Sequence, residues 1–292
     1  MRSIKSLLKP IFLLILALVS WQVIFAQEEE QKDDRPVRSP YEGVMLIDFP
    51  TTKTPTKGSF EMHIHHRFGT FGAGTGDLLG VYAPANIRMG VYYGLTERIA
   101  IGFGTEKNHK AQEFNIAYRI FDQTRSNSMP VAVMLYGNAV IDARDKSAFG
   151  VKYQGSNRLS YFSQLIVSRK FSDAFTLHGA ASFSHFNSVD SLLEHDKIAL
   201  HLGGRVKLWS DNSLIFEYTH PLEPKNFAEH VELTNPPKAG LSLGLELGTS
   251  THCFQVFVSN YQEIIPQQNV SFNQNEFFDG GALLGFNITV RI

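Results

Sequence analysis

The stretch HIHH at His63–His66 concentrates metal-ligating side chains. His63 and His65 lie two apart, so on an extended strand they share a face and can bring two imidazoles to one metal ion. Zinc needs a third or fourth ligand, and Glu61, His178 and His201 are the candidates to supply it. The simpler reading is a polar network of the two histidines with Glu61 and Arg67, so no metal and no cofactor is expected. His66 falls on the opposite face unless a bulge re-aims it. Hydrolysis would need a serine, a histidine and an acid or amide brought together. Ser184 and His185 are adjacent and point to opposite faces of a strand, and the other serines and histidines are scattered. The chain is therefore not read as an enzyme. Cys253 is the single cysteine, which excludes a disulfide scaffold, a zinc ribbon and a CxxC redox site.

Strands must position these residues, because the hydrophobic period is two along most of the chain. Leu241, Leu243, Leu245 and Leu247 oppose Ser242, Gly244, Glu246 and Gly248. Leu284, Phe286, Ile288, Val290 and Ile292 oppose Gly285, Asn287, Thr289 and Arg291. Glycine, β-branched and aromatic residues are too dense in these windows for helix. The spacing predicts about twelve strands, near 59–68, 86–93, 98–104, 112–121, 130–142, 157–170, 174–186, 198–209, 213–220, 239–247, 252–259 and 281–292. Their polar faces carry charges of both signs: Glu61, Arg67, Arg88, Glu113, Arg119, Arg205, Lys207, Glu217, Glu246 and Arg291.

A soluble β-protein turns its apolar face inward; a membrane barrel turns it to lipid and keeps the polar face in the lumen. The connections favour the second. After even-numbered strands they are short (94–97, 171–173, 210–212 and 248–251), and after odd-numbered ones mostly long (69–85, 143–156, 187–197, 221–238 and 260–280). The pair 105–111 and 122–129 breaks the pattern. Outer-membrane barrels have this layout, with short periplasmic turns and long extracellular loops. Phe68, Tyr93, Phe103, Phe121, Phe171, Phe186, Trp209 and Tyr218 would form the interfacial girdles. The final strand, ending in Ile292, resembles the C-terminal strand signal of assembled barrels. The expected architecture is all-β, a single antiparallel transmembrane β-barrel.

Composition agrees with a two-faced sheet. Of 292 residues, 43% are hydrophobic and only 19% charged, with a net charge of −1. Near-neutrality excludes a nucleic-acid partner recruited by bulk basicity. Residues 1–26 read as a signal peptide, with Arg2, Lys5 and Lys9 before an apolar run from Ile11 to about Phe25 and a small residue, Ala26, at the cut. Cleavage there removes three basic residues and takes the charge to −4. Residues 27–58 are expected to be an acidic periplasmic segment, with the barrel occupying 59–292. No later apolar run reaches spanning length, so membrane residence must come from strands.

Both ends of the barrel resemble a known family. The stretches HIHHRFGTF (His63–Phe71), NIRMGVYYGLTERIAIGFG (Asn86–Gly104), THCFQVFVSN (Thr251–Asn260) and GFNITVRI (Gly285–Ile292) together look like an uncharacterised family of Bacteroidota outer-membrane β-barrels, domain of unknown function 5777. The resemblance covers roughly residues 45–292. Its last strand often ends in Arg and an aromatic, where this chain has Arg291 and Ile292. It implies fold and location, and supplies no activity.

A twelve-strand barrel is narrower than the 16-strand porins that hold an aqueous channel. Opposed charges across it would pair, so the lumen is expected to be narrowed or closed by salt bridges and aromatics. The chain then serves small-solute passage or binding at the outer membrane of a Gram-negative cell. The alternative is a non-conducting barrel that recruits envelope partners through loops 221–238 and 260–280. The second of these loops could also enter the lumen, although a plain surface loop is the default. Expected partners are outer-membrane lipid, the barrel-assembly machinery during biogenesis, and an unidentified small solute or envelope protein.

Overall fold

A computed structural model describes residues 33–190, 193–223 and 235–292. Contacts divide the chain into Met1–Asp34 and Arg35–Ile292, and the fold described is that of the second unit. The signal peptide lies outside the described residues, as does most of the acidic run 28–34.

Twelve strands follow one another in chain order. They are β1 (Phe60–Thr70), β2 (Asn86–Gly94), β3 (Ile99–Glu106), β4 (Gln112–Phe121), β5 (Ala132–Ile141), β6 (Leu159–Lys170), β7 (Phe175–Phe186), β8 (Asp196–Trp209), β9 (Asn212–Leu222), β10 (Gly240–Gly248), β11 (His252–Ser259) and β12 (Leu283–Arg291). Each pairs antiparallel with its sequence neighbours, and β1 pairs with β12 from Glu61↔Arg291 to Thr70↔Leu283, closing the sheet. Closure leaves no edge strand with unpaired backbone groups.

The alternation read from sequence decides what each side of the sheet meets. On β10, Ser242 and Glu246 are buried in the interior, whereas Leu243 is 49% exposed on the outside. Its outward neighbours across the ladder are Phe216 and Val258. Phe103, Phe114, Ile116, Leu135, Leu165, Leu202 and Val256 continue this apolar outer band. Water would not sustain so much contiguous apolar surface, whereas hydrocarbon would. Phe186 departs from the expected girdle: it shares parity with Thr176, His178 and Ser184, faces inward, and packs against Phe272 with ring centroids 4.7 Å apart. His66 stays outside, stacked on Phe286 at 4.9 Å, because the register irregularity of β1 begins only after Arg67.

Much of the described part of the 27–58 segment is buried rather than solvated. Tyr41, Val44–Phe49, Thr51, Thr52 and Thr54 are all buried. The segment is anchored by bridges Pro36↔Thr124, in the connection that follows β4, and Lys57↔Gly94, at the last residue of β2. It therefore enters and leaves at the end of the barrel that carries the short turns. Between these anchors the chain reverses, with Leu46 N–H donating to Phe49 O (3.0 Å) and Thr51 N–H to Val44 O (2.9 Å). The connection 260–282 folds inward over 260–273, while its return stretch lies on the surface, with Phe278 90% exposed. It carries one short helix, α1 (Pro266–Phe272), whose Gln267, Asn269 and Val270 are buried. Pro266 opens α1, where its missing N–H breaks no helical bond.

Leu243→Arg, which places a charge on the outer band at mid-strand, should destabilise the membrane-inserted barrel by about 2–4 kcal/mol. Urea unfolding from lipid vesicles measures this, and a loss below about 0.5 kcal/mol would contradict the lipid-facing assignment.

Candidate functional site: a filled barrel interior

The interior is built from the polar strand faces and from the two segments that enter it. Arg67 is fully buried and its Nη2 lies 2.8 Å from Asp48 Oδ1 at the tip of the N-terminal segment. The same guanidinium donates to Asn287 Oδ1 (2.9 Å) and Ile47 O (3.3 Å) and lies 4.4 Å over the Phe257 ring. Asp48 Oδ2 accepts from the Ser242 hydroxyl and, at 3.4 Å, from Ser259. Glu217 Oε2 accepts the backbone N–H groups of Ile47 (3.2 Å) and Asp48 (2.6 Å). One turn of chain is thus held by side chains from β1, β9, β10, β11 and β12. Nearer the short-turn end, Tyr41 Oη lies 3.0 Å from His178 Nδ1 and Thr52 Oγ1 2.6 Å from Ser168 Oγ.

A second ion pair organises the opposite wall. Arg88 Nε donates to Glu113 Oε2 (2.8 Å), and its Nη2 reaches the same oxygen. Glu113 Oε1 accepts from Tyr136 (3.2 Å) and from Asn138 (2.7 Å). Gly104 makes room for this guanidinium, since a Cβ there would stand 2.4 Å from Arg88 Nη2. Asn138 then passes the network to α1, where Gln267 Nε2 donates to Asn138 Oδ1 (3.0 Å) and Ser160 Oγ (3.1 Å). A third pair, Arg205 Nε with Glu246 Oε1 at 2.6 Å, closes the short-turn end together with Gln255.

Apolar groups fill what remains. Phe49 meets Tyr261 edge-on at 6.0 Å, so the tip of the N-terminal segment touches the connection that enters from the other end. Met134, Tyr136, Phe162, Ile166 and Val270 complete this buried cluster.

The ten charged residues read as lumen-lining divide into two groups. Glu61, Arg67, Arg88, Glu113, Arg205, Glu217 and Glu246 are buried inside. Arg119, Lys207 and Arg291 are partly exposed near strand ends. They pair with Asp122 (3.4 Å), Asp211 (3.9 Å) and Glu42 (2.9 Å) respectively. Rim position, more than strand face, decides their surroundings.

His63 and His65 are both buried, with ring centroids 5.6 Å apart. His63 Nε2 lies 3.3 Å from Glu61 Oε2, and Lys53 Nζ 3.4 Å from the same carboxylate. His178 and His201 are engaged elsewhere, His201 with Ser182 (2.7 Å) and Thr219 (3.0 Å). Among the described residues these four histidines assemble no three-ligand cluster. Ser184 is buried, while the neighbouring His185 pairs with Asp196 at 2.6 Å. Gly240–Gly244 spells GLSLG, a GxSxG pattern, yet it lies within β10 and not on a strand-to-helix turn, and Ser242 is occupied by Asp48. Cys253 is buried in the interior.

Sequence reasoning missed the N-terminal segment as a site element. Its signal was the apolar run Val44–Phe49, which a solvated linker does not need. Also unread was a cluster at the long-loop end, Glu106, His109 and Glu263, whose donor atoms lie within 4.8 Å of one another. Burial raises the Glu263 carboxyl above its ordinary value, opposed by His109 and reinforced by Glu106. Beside it opens a cleft of about 440 Å³ lined by His109, Asp142, Arg144, Phe149, Arg158 and Phe272.

Asp48→Ala would leave the Arg67 guanidinium charged and uncompensated in a dry interior. The expected loss is about 3–5 kcal/mol of stability, with much of it recovered when Arg67→Met is added. Denaturant titration of the single and double variants measures both; equal stability of wild type and Asp48→Ala would show that the pair holds nothing.

No curated protein matches the sequence. Among solved structures, the chain is similar to the NanC porin at 10% identity and a TM-score of 0.49, over 79% of this chain and 98% of that one. It is similar to the KdgM porin at 7% identity and 0.45, over 79% and 97%. An outer membrane channel from Pseudomonas putida F1 aligns at 10% identity and 0.47, over 82% and 97%. A family model described as a membrane bound beta barrel domain matches residues 41–291, starting at the first buried residue of the N-terminal segment. The chain belongs to this family of membrane-bound β-barrels, DUF5777.

Proposed function

We propose that the chain is an outer-membrane β-barrel stoppered by its own N-terminal segment, and that small polar solutes pass or bind when this segment withdraws. The observation that carries the reading is the Asp48 turn. It sits on Arg67, Glu217, Ser242 and Ser259 through polar contacts that water could replace once the turn leaves. The walls left behind would bear charges of both signs, suited to polar solutes and not to hydrocarbons.

On this reading the short connections face the periplasm, where both anchors of the segment, Pro36 and Lys57, would be within reach of envelope components. The long connections face outward. Export uses the leader at residues 1–26, cut near Ala26, and insertion uses the barrel-assembly machinery. The protein works without a chemical step of its own. A second reading, a non-conducting barrel that recruits envelope partners, draws support from the packing of Phe49 and Tyr261 across the interior. Of its recruiting loops, 224–234 lies outside the described residues, and 260–282 is turned inward over 260–273 but exposed over most of 274–281.

Planar-bilayer recording separates the two. Wild type should show almost no steady conductance, Asp48→Ala brief openings, and deletion of residues 36–57 a stable channel. A deletion variant that folds, judged by heat-modifiable gel migration, and still does not conduct would remove the passage reading in favour of the partner-recruiting barrel.

A further inference from the structure

Glu106, His109 and Glu263 take no part in the stopper or its polar bed. Glu106 ends β3, His109 lies in the turn 107–111 that follows, and Glu263 belongs to the connection 260–282 that carries α1. His109 Nδ1 stands 3.8 Å from Glu106 Oε2 and 3.7 Å from Glu263 Oε2. Both distances are too long for hydrogen bonds. The nitrogen is nonetheless shielded from solvent and has no hydrogen-bond partner. An imidazole nitrogen within 4 Å of two carboxylates and hydrogen-bonded to neither gives three donors that could hold a metal ion.

Ligands about 2.1 Å from a tetrahedral metal stand about 3.4 Å from one another. The two gaps from His109, 3.8 and 3.7 Å, exceed this by a few tenths of an ångström. The two carboxylates lie within 4.8 Å of each other, so side-chain rotation is what must bring the three together. Both carboxylates are already oriented by outer contacts, as metal ligands commonly are. Glu106 accepts the backbone N–H groups of Asn108 (2.9 Å) and His109 (3.0 Å), and Glu263 Oε2 accepts Asn86 Nδ2 (2.9 Å). His109 also lines the 440 Å³ cleft, which supplies an entry path.

We infer that Glu106, His109 and Glu263 bind a first-row divalent cation of the zinc class, pinning the inward-folded connection 260–282 to the β3–β4 turn. The imidazole decides the class, since calcium and magnesium take oxygen ligands almost exclusively. Three protein donors leave a further position for water. Because α1 hangs from the same connection, bound metal would fix the inward-folded helix that enters from the long-loop end. This inference is independent of passage through the barrel.

The test uses the full chain folded in detergent, stripped with chelator and titrated with zinc alone. One zinc per chain should be retained after desalting, and zinc should raise the apparent Tm. His109→Ala and Glu263→Gln should each weaken binding at least tenfold, with heat-modifiable migration confirming that the variants fold. The His63→Ala, His65→Ala double variant should bind as wild type does. Zinc should also slow amide exchange across 260–282. Absence of retained zinc, binding indifferent to both substitutions, loss of binding in the His63/His65 variant, or a preference for calcium would each overturn the site. Binding without added protection of 260–282 would overturn the pinning.

Discussion

A closed sheet with a period of two sends every second side chain into the interior, where a polar group away from water is costly unless it finds a partner. Arg67 shows the constraint at its strongest. It projects from β1 into the interior with no solvent contact, and a lone guanidinium there would be costly. The wall does not supply its carboxylate. Asp48 does, from a turn of chain outside the sheet, while Glu217 receives that turn's backbone N–H groups. The interior is thus completed by a segment that is not part of the barrel, and the wall and the segment satisfy each other.

The same constraint explains why the filling has two layers. At one wall, Arg88 and Glu113 neutralise each other directly and hand their remaining hydrogen bonds through Asn138 to Gln267 of α1. At the other, charge is neutralised by the N-terminal turn. Between them Phe49, Tyr261 and Val270 meet as an apolar plug. Polar contacts hold the segments against the wall, and apolar contacts hold the segments against each other. Water can substitute for the first kind, and this makes the closure compatible with a channel that opens.

Much of the fold was legible in advance, because strand alternation is a local property. All twelve strands lie where the two-residue period places them, with ends shifted by a few residues at turns and bulges. The charges on the polar faces follow from the same period; seven of the ten are buried, while Arg119, Lys207 and Arg291 pair near strand ends. Phe186, an aromatic at a strand end, lies inside and not in the girdle, as its parity with Thr176 and His178 requires. The stopper was the main omission. Val44–Phe49 carries an apolar run without strand alternation, and nothing local says that such a run will lodge in a barrel formed by the next 230-odd residues.

The cluster at the long-loop end belongs to the same class of omission. Glu106 and His109 are three apart, but Glu263 comes from the other half of the chain. Sequence by itself determined the sheet, its two faces and the identity of the groups turned inward, because each follows from a period read over a few residues. Tertiary structure alone decided who answers those groups: Asp48 for Arg67 and Gln267 for Asn138. The reason is physical. Which face a strand residue takes is settled by its own backbone, whereas a buried charge is answered by whatever part of the chain the closed barrel brings within about 3 Å of it.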